Sequence, residues 1–187
     1  MKDTLINALK VAEINFLMSF KEIKPEIVTK QIQKDTNHIA WIIGHCATHF
    51  DHYLSFFTND HIISKEEHDY FSYGIEKSKV VSYPYSFSDL IDNYLRIVSL
   101  FFEILDSIPE SEFEKSPSEE DGENLSDKLI RITLHIMGHT GQIVLIRRML
   151  DEPFWSFVGG VQKNQREKLR NSWISWWNEN KQDYYSK

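Results

Sequence analysis

Apolar residues recur along this chain at helical spacing, in stretches separated by polar or breaker-containing segments. Over about residues 4–21, Leu5, Ala8, Leu9, Ala12, Phe16 and Phe20 fall mostly three or four positions apart, so a helix there presents one apolar stripe. A second helix is predicted over about residues 37–57. Asp35, Thr36 and Asn37 are its candidate N-caps, because each carries a short side-chain acceptor. A third starts near Ser86 or Ser88 and runs to Ile108, where Pro109 ends it. Leu90, Ile91, Tyr94, Leu95, Val98, Phe101, Phe102 and Leu105 give it a wide buried face. The fourth covers about residues 125–150 and is closed by Pro153; the acidic stretch 110–123 ahead of it suits the positive end of its dipole. An aromatic loop, Phe154-Trp155-Ser156-Phe157-Val158-Gly159-Gly160, leads to a shorter fifth helix over about residues 163–179.

Four long helices with one long crossing connection predict an all-α, single-domain chain over residues 1–187, built as a four-helix bundle. The connection, residues 61–85, is long for a bare loop and is expected to cover one end of the bundle or a site. Only 7 Gly and 5 Pro among 187 residues fit long helices better than many short strands.

Charge narrows the partners. The formal net charge is −7, and the densest basic group, Lys163, Arg166, Lys168 and Arg170, is interleaved with Glu167 and reads as a solvated face. Nucleic acid is therefore not an expected partner. A single cysteine, Cys46, excludes an intrachain disulfide. Asp3, Lys10 and Glu13 interrupt the apolar residues of the first helix, so it reads as amphipathic rather than as a signal peptide. No apolar run approaches the length of a membrane span, and the expectation is a cytoplasmic protein with no membrane partner.

The histidines carry the candidate chemistry. Of eight, His45, His49 and His52 lie on the second helix and His135 and His139 on the fourth, while His38, His61 and His68 read as surface or loop residues. Residues i and i+4 stack on one helix face, so His135-Ile136-Met137-Gly138-His139 forms a two-tooth clamp that an imidazole from a facing helix can complete. His45 is the expected third ligand. Gly44 precedes it as Gly138 precedes His139, and the two glycines are expected to let the helix backbones approach closely. A four-histidine site using His49 is the alternative. Each histidine alone reads as a hydrogen-bonded core residue; their grouping points to zinc, nickel, copper or iron.

Trp41-Ile42-Ile43-Gly44-His45, followed by His135-Ile136-Met137-Gly138-His139-Thr140-Gly141-Gln142-Ile143 and Arg147-Arg148, resembles the DinB/YfiT-like metalloenzyme superfamily. The resemblance covers about residues 3–152; the aromatic loop and last helix, residues 153–187, lie beyond it. It implies a four-helix bundle with a long crossover between helices two and three, and a divalent metal, zinc or nickel first and iron or manganese next, held by His45, His135 and His139. Trp41, His49 and Gln142 are then pocket residues. Trp41 reads as a pocket wall or as core. Gln142 either hydrogen-bonds a ligand or closes the helix contact. Cys46 points about 100° away from His45 around the helix and reads as a small core residue. Arg147 and Arg148 are explained by the dipole at their helix end.

The resemblance implies a metal-dependent transferase or hydrolase that activates a small thiol or water. Its partner would be a small-molecule substrate such as a low-molecular-weight thiol, and a homodimer is common among similar proteins. The catalytic residues are unknown: no side chain stands out as a general base. The other reading is a non-catalytic metal-binding or interaction module. In it, the aromatic tail of Trp155, Phe157, Trp173 and Trp177 covers a dimer interface rather than packing the fifth helix onto the bundle. Glu-x-x-His, Gly-x-Ser-x-Gly and His-Glu-x-x-His motifs are absent. A haemerythrin-like carrier would need bridging carboxylates, of which these helices offer little beyond Asp51.

Overall fold

A computed structural model describes residues 1–76, 79–80, 82–117, 122–152 and 161–185, and among them there is no strand. The helices are α1 (Lys2–Ser19), α2 (Ile39–Thr58), α3 (Lys65–Tyr70), α4 (Phe87–Ser107), α5 (Leu125–Met149) and α6 (Arg166–Asn180). α1, α2, α4 and α5 form the expected bundle, with α1 packed mainly on α5 and α2 mainly on α4. α2 and α5 meet over a smaller face, and that seam holds the histidines. By length and composition α5 is apolar enough to cross a membrane, contrary to the sequence expectation. The core helix of a bundle meets the same criterion; α5 buries Ile132, Ile136, Thr140 and Ile143 on the bundle side and leaves Ile130, Leu134, Leu145 and Met149 exposed on the other.

Local chemistry sets most helix ends. Ser86 caps α4 by accepting from Asp89 N, and Asn124 caps α5 by accepting from Asp127 N at 2.9 Å. α2 departs from expectation. Its N-cap is His38, whose Nδ1 accepts from Trp41 N at 3.0 Å while Nε2 donates to Val80 O at 3.0 Å. His38 is thus fully buried rather than a surface residue, and burial pushes its pKa down to about 4. The crossover is not irregular throughout. Ser64 and Glu67 form a capping box that starts α3, a pattern short enough to be overlooked between two long loops.

The first stripe also shifts. Ala8 is exposed, while Glu13, Ile14 and Asn15 are buried beside Ala12 and Phe16, because α6 covers a second face of α1. Trp173 Nε1 donates to Leu17 O at 2.7 Å, Trp177 Nε1 donates to Asp92 at 2.7 Å, and Tyr184 OH donates to Ile23 O. Trp173 and Trp177 therefore pack the last helix onto the bundle; Trp155 and Phe157 lie outside the described residues. The basic group on α6 is not simply solvated. Arg166 donates to Asn7, and Arg170 reaches the fully buried Glu13 at 3.0 Å and Ser99 at 3.1 Å. Arg147 serves another helix than its own: buried, it donates to Ser19 O and Lys21 O at the end of α1.

Candidate metal centre

α2 carries His45 and His49 one turn apart, and α5 carries His135 and His139 one turn apart. The helix seam brings all four together. Ring centres stand 4.7 Å apart for His45–His49, 5.1 Å for His45–His135, 5.1 Å for His45–His139, 4.5 Å for His135–His139 and 4.1 Å for His49–His135. Two imidazoles that share one ion through bonds of about 2.1 Å, at angles of about 90–110°, have ring centres roughly 4.6–5.3 Å apart. Of these five pairs, all but His49–His135 fall within about 0.1 Å of that window. Donor atoms lie within 4.8 Å of one another in two groups, His45–His49–His135 and Cys46–His135–His139, so His49 belongs to the cluster and the expected ligands His45 and His139 fall in different groups that share His135.

Hydrogen bonds decide which nitrogen is free on two of the rings. His45 Nδ1 donates to Phe71 O at 2.7 Å, a carbonyl that can only accept, so its lone pair is on Nε2. His139 Nδ1 donates to Gln142 Oε1 at 2.9 Å with the same result. Gln142 thus hydrogen-bonds the histidine one turn before it rather than closing a helix contact. Outer partners of this kind fix tautomer and ring orientation in metal sites. Nε2 of His135 is buried with no hydrogen-bond partner among the described residues, which costs about 1–3 kcal/mol unless something partners that nitrogen.

The cluster is electrically suited to a cation. Burial, aided by neighbouring imidazoles, holds His49 and His139 down to about 4 and His135 to about 3; burial lowers His45 too, against its bond to Phe71. All four rings are neutral at pH 7, the form that binds metal. Cys46 is fully buried, as expected of a core residue, yet its sulfur lies within 4.8 Å of ligand atoms of His135 and His139. Burial raises its pKa well above the ordinary thiol value, so it faces the cluster as a neutral thiol. Among the described residues the donor set contains no carboxylate; Asp51 is turned away to His61 and Ile62, which speaks against the haemerythrin-like reading.

The crossover builds the rest of the site. The Phe71 ring lies on Gly44, where a Cβ would overlap it, and this seat aims Phe71 O at His45. Gly44 therefore admits the crossover, not the facing helix, and a Cβ on Gly138 would meet nothing within 4 Å. The paired glycines do not bring α2 and α5 together. Trp41 is a wall: it stacks on His45 at 4.8 Å and donates from its indole to Tyr70 O at 3.1 Å. Beside the cluster a cavity of about 290 Å³ is lined by His45, Thr48, His49, His52, His68, Ser72 and Tyr73.

The cluster can hold a metal ion, and its imidazoles suit a divalent transition metal better than magnesium or calcium. No curated protein matches the sequence. A family match runs over residues 6–165, to the family described as protein of unknown function (DUF1572), whose domains are DinB-like; it extends beyond residue 152, through the aromatic loop. An all-helical bundle carrying a histidine cluster at the α2–α5 seam is thus this chain's form of that domain, and the chain belongs to the DUF1572 family.

Proposed function

We propose that this chain is a metal-dependent enzyme of the DinB/YfiT-like superfamily, with His45, His135 and His139 holding a divalent ion and His49 beside them as an optional fourth donor. The observation that carries the reading is the buried, unpartnered Nε2 of His135 beside His45 and His139, whose Nδ1 atoms are already committed to Phe71 and Gln142. A cluster of neutral imidazoles with one orphaned buried nitrogen is costly by itself, and a cation bound by that nitrogen in its deprotonated tautomer relieves the cost.

A zinc- or nickel-like ion bound there lowers the pKa of a bound water or thiol and so generates a nucleophile at neutral pH. The chain's own groups supply position and exclusion. Phe71 O and Gln142 hold His45 and His139 in their tautomers. Trp41 closes one face of His45, and the adjoining cavity of about 290 Å³ leaves room for a small substrate such as a low-molecular-weight thiol. The reaction is S-transferase-like or hydrolase-like. The cavity favours catalysis over a purely structural ion, because structural metal sites are closed.

Elemental analysis of untagged protein, beside His45→Ala and His139→Ala, tests the site. About one zinc or nickel per chain, lost in both variants, is expected. No metal after dialysis against zinc and nickel sinks it. Cobalt substitution then separates the chemistries: a thiolate-to-cobalt absorption band on adding a small thiol supports transferase chemistry, and its absence leaves the hydrolase form.

A further inference from the structure

α2 ends at Asn59, whose backbone turns left-handed with φ 56°, and the chain folds back along the helix it has left. Asp51, fully buried, catches it. One carboxylate oxygen accepts from Ile62 N at 2.8 Å and the other from His61 Nδ1 at 2.8 Å. With its Nδ1 proton given to Asp51, His61 keeps its lone pair on Nε2, and its ring, 49% exposed, is held in one orientation. A carboxylate behind an imidazole is the arrangement that orients metal-ligating histidines.

Opposite His61, His68 projects from α3 with its ring centre 5.9 Å away. His52, the residue after Asp51, joins them around a cavity of about 400 Å³, whose remaining walls are Ile63, Lys65 and Asp69. Lys65 is paired with Asp69 at 2.7 Å, so its charge is compensated. His52 and His68 also line the cavity beside the inner cluster, so imidazoles run from the surface to His45 and His49. The bond to Ile62 N alone would anchor the turn. It does not call for imidazoles at three positions on one cavity.

We propose that His61 and His68, with His52, bind a second divalent transition-metal ion and pass it to the inner cluster; this rests on reading that cluster as a metal site. Imidazole donors select zinc-, nickel- or copper-like ions over magnesium and calcium. The outer site is the weaker. The His61 and His68 rings must close by about 1 Å to reach the spacing of two ligands on one ion, and half-exposed side chains lose rotamer freedom on closing.

Zinc titration of metal-stripped, untagged protein, read by calorimetry with a competing chelator, resolves the two sites. The wild type takes up two ions, the second more weakly. H61A/H68A keeps the tight ion, loses the weak one, and fills the tight site several-fold more slowly from chelator-buffered zinc. Asp51→Asn keeps both and weakens the second about tenfold. Should replacement at 61 unfold the turn, as circular dichroism would show, His68→Asn gives the same readout. A wild type that binds one ion, or H61A/H68A that still binds two, overturns the proposal; loss of the weak ion with unchanged loading overturns the transfer. Retention of both ions by H45A/H139A instead refutes the inner site, and leaves the outer one standing on the His61 and His68 variants.

Discussion

The ring of Phe71 occupies the space that any side chain on residue 44 would need, and the carbonyl of the same Phe71 accepts the Nδ1 proton of His45. Gly44 and Phe71 are thus one device, in which a missing Cβ on α2 lets the crossover dock and the docked crossover orients a candidate ligand. Gly44→Ala forces the buried ring away. The expected cost is about 1–3 kcal/mol in urea denaturation, with weaker zinc binding by chelator competition. Adding Phe71→Leu to Gly44→Ala is expected to recover part of the stability. Purely additive losses would show that the two residues do not act together.

Gln142 acts on the metal through His139. Gln142→Leu removes the acceptor at 2.9 Å from Nδ1, and since Gln142 is exposed the fold is expected to hold. Zinc affinity should fall about 10–100-fold, and Gln142→Glu, which still accepts, should restore it. Equal affinities in all three proteins would show that the bond orients nothing.

His38 makes stability depend on pH. Its folded-state pKa is about 4, below the ordinary 6.5, because it is buried. Above pH 6.5 the ring is neutral in folded and unfolded chains, and its bonds to Trp41 and Val80 contribute fully. As pH falls from 6.5 to 4 only the unfolded chain takes up the proton. Stability therefore drops by up to ~1.4 kcal/mol per pH unit and levels off below about 4. His49, His135 and His139 are lowered in the same direction and steepen the loss in metal-free protein. Urea midpoints at several pH values should show a shallower decline for His38→Asn than for the wild type. Parallel curves would remove His38 from the explanation.

Arg170 neutralises Glu13, a carboxylate with no exposure at all. Burial raises the Glu13 pKa and Arg170 opposes that rise. Arg170→Ala leaves an unpaired buried acid and is expected to cost about 3–5 kcal/mol at pH 8. The loss should be smaller at pH 5, where the folded state can hold Glu13 protonated, and Glu13→Gln in the same chain should recover much of it. A loss independent of pH would mean that Arg170 contributes packing rather than charge.

Helical period is a local property, and the chain displays it plainly. The apolar spacing of residues 90–105, the helix start near Ser86 and the breakers at Pro109 and Pro153 lie within a turn or two of the helices they define. The i, i+4 pairs of histidines were legible for the same reason, and so was their facing each other across a bundle. Contacts between residues far apart in sequence were not. Gly44 answers to Phe71, His38 to Val80, Arg147 to the end of α1 and Glu13 to Arg170, each across 27 to 157 residues. Side-chain type sets what a residue can bond, but which partner arrives is decided by how whole helices pack. Periodicity therefore settled that there are helices and which faces are apolar, while packing alone decided that His49 joins the cluster, that His38 and Arg147 are buried, and that the crossover rather than a second helix fills the space over Gly44.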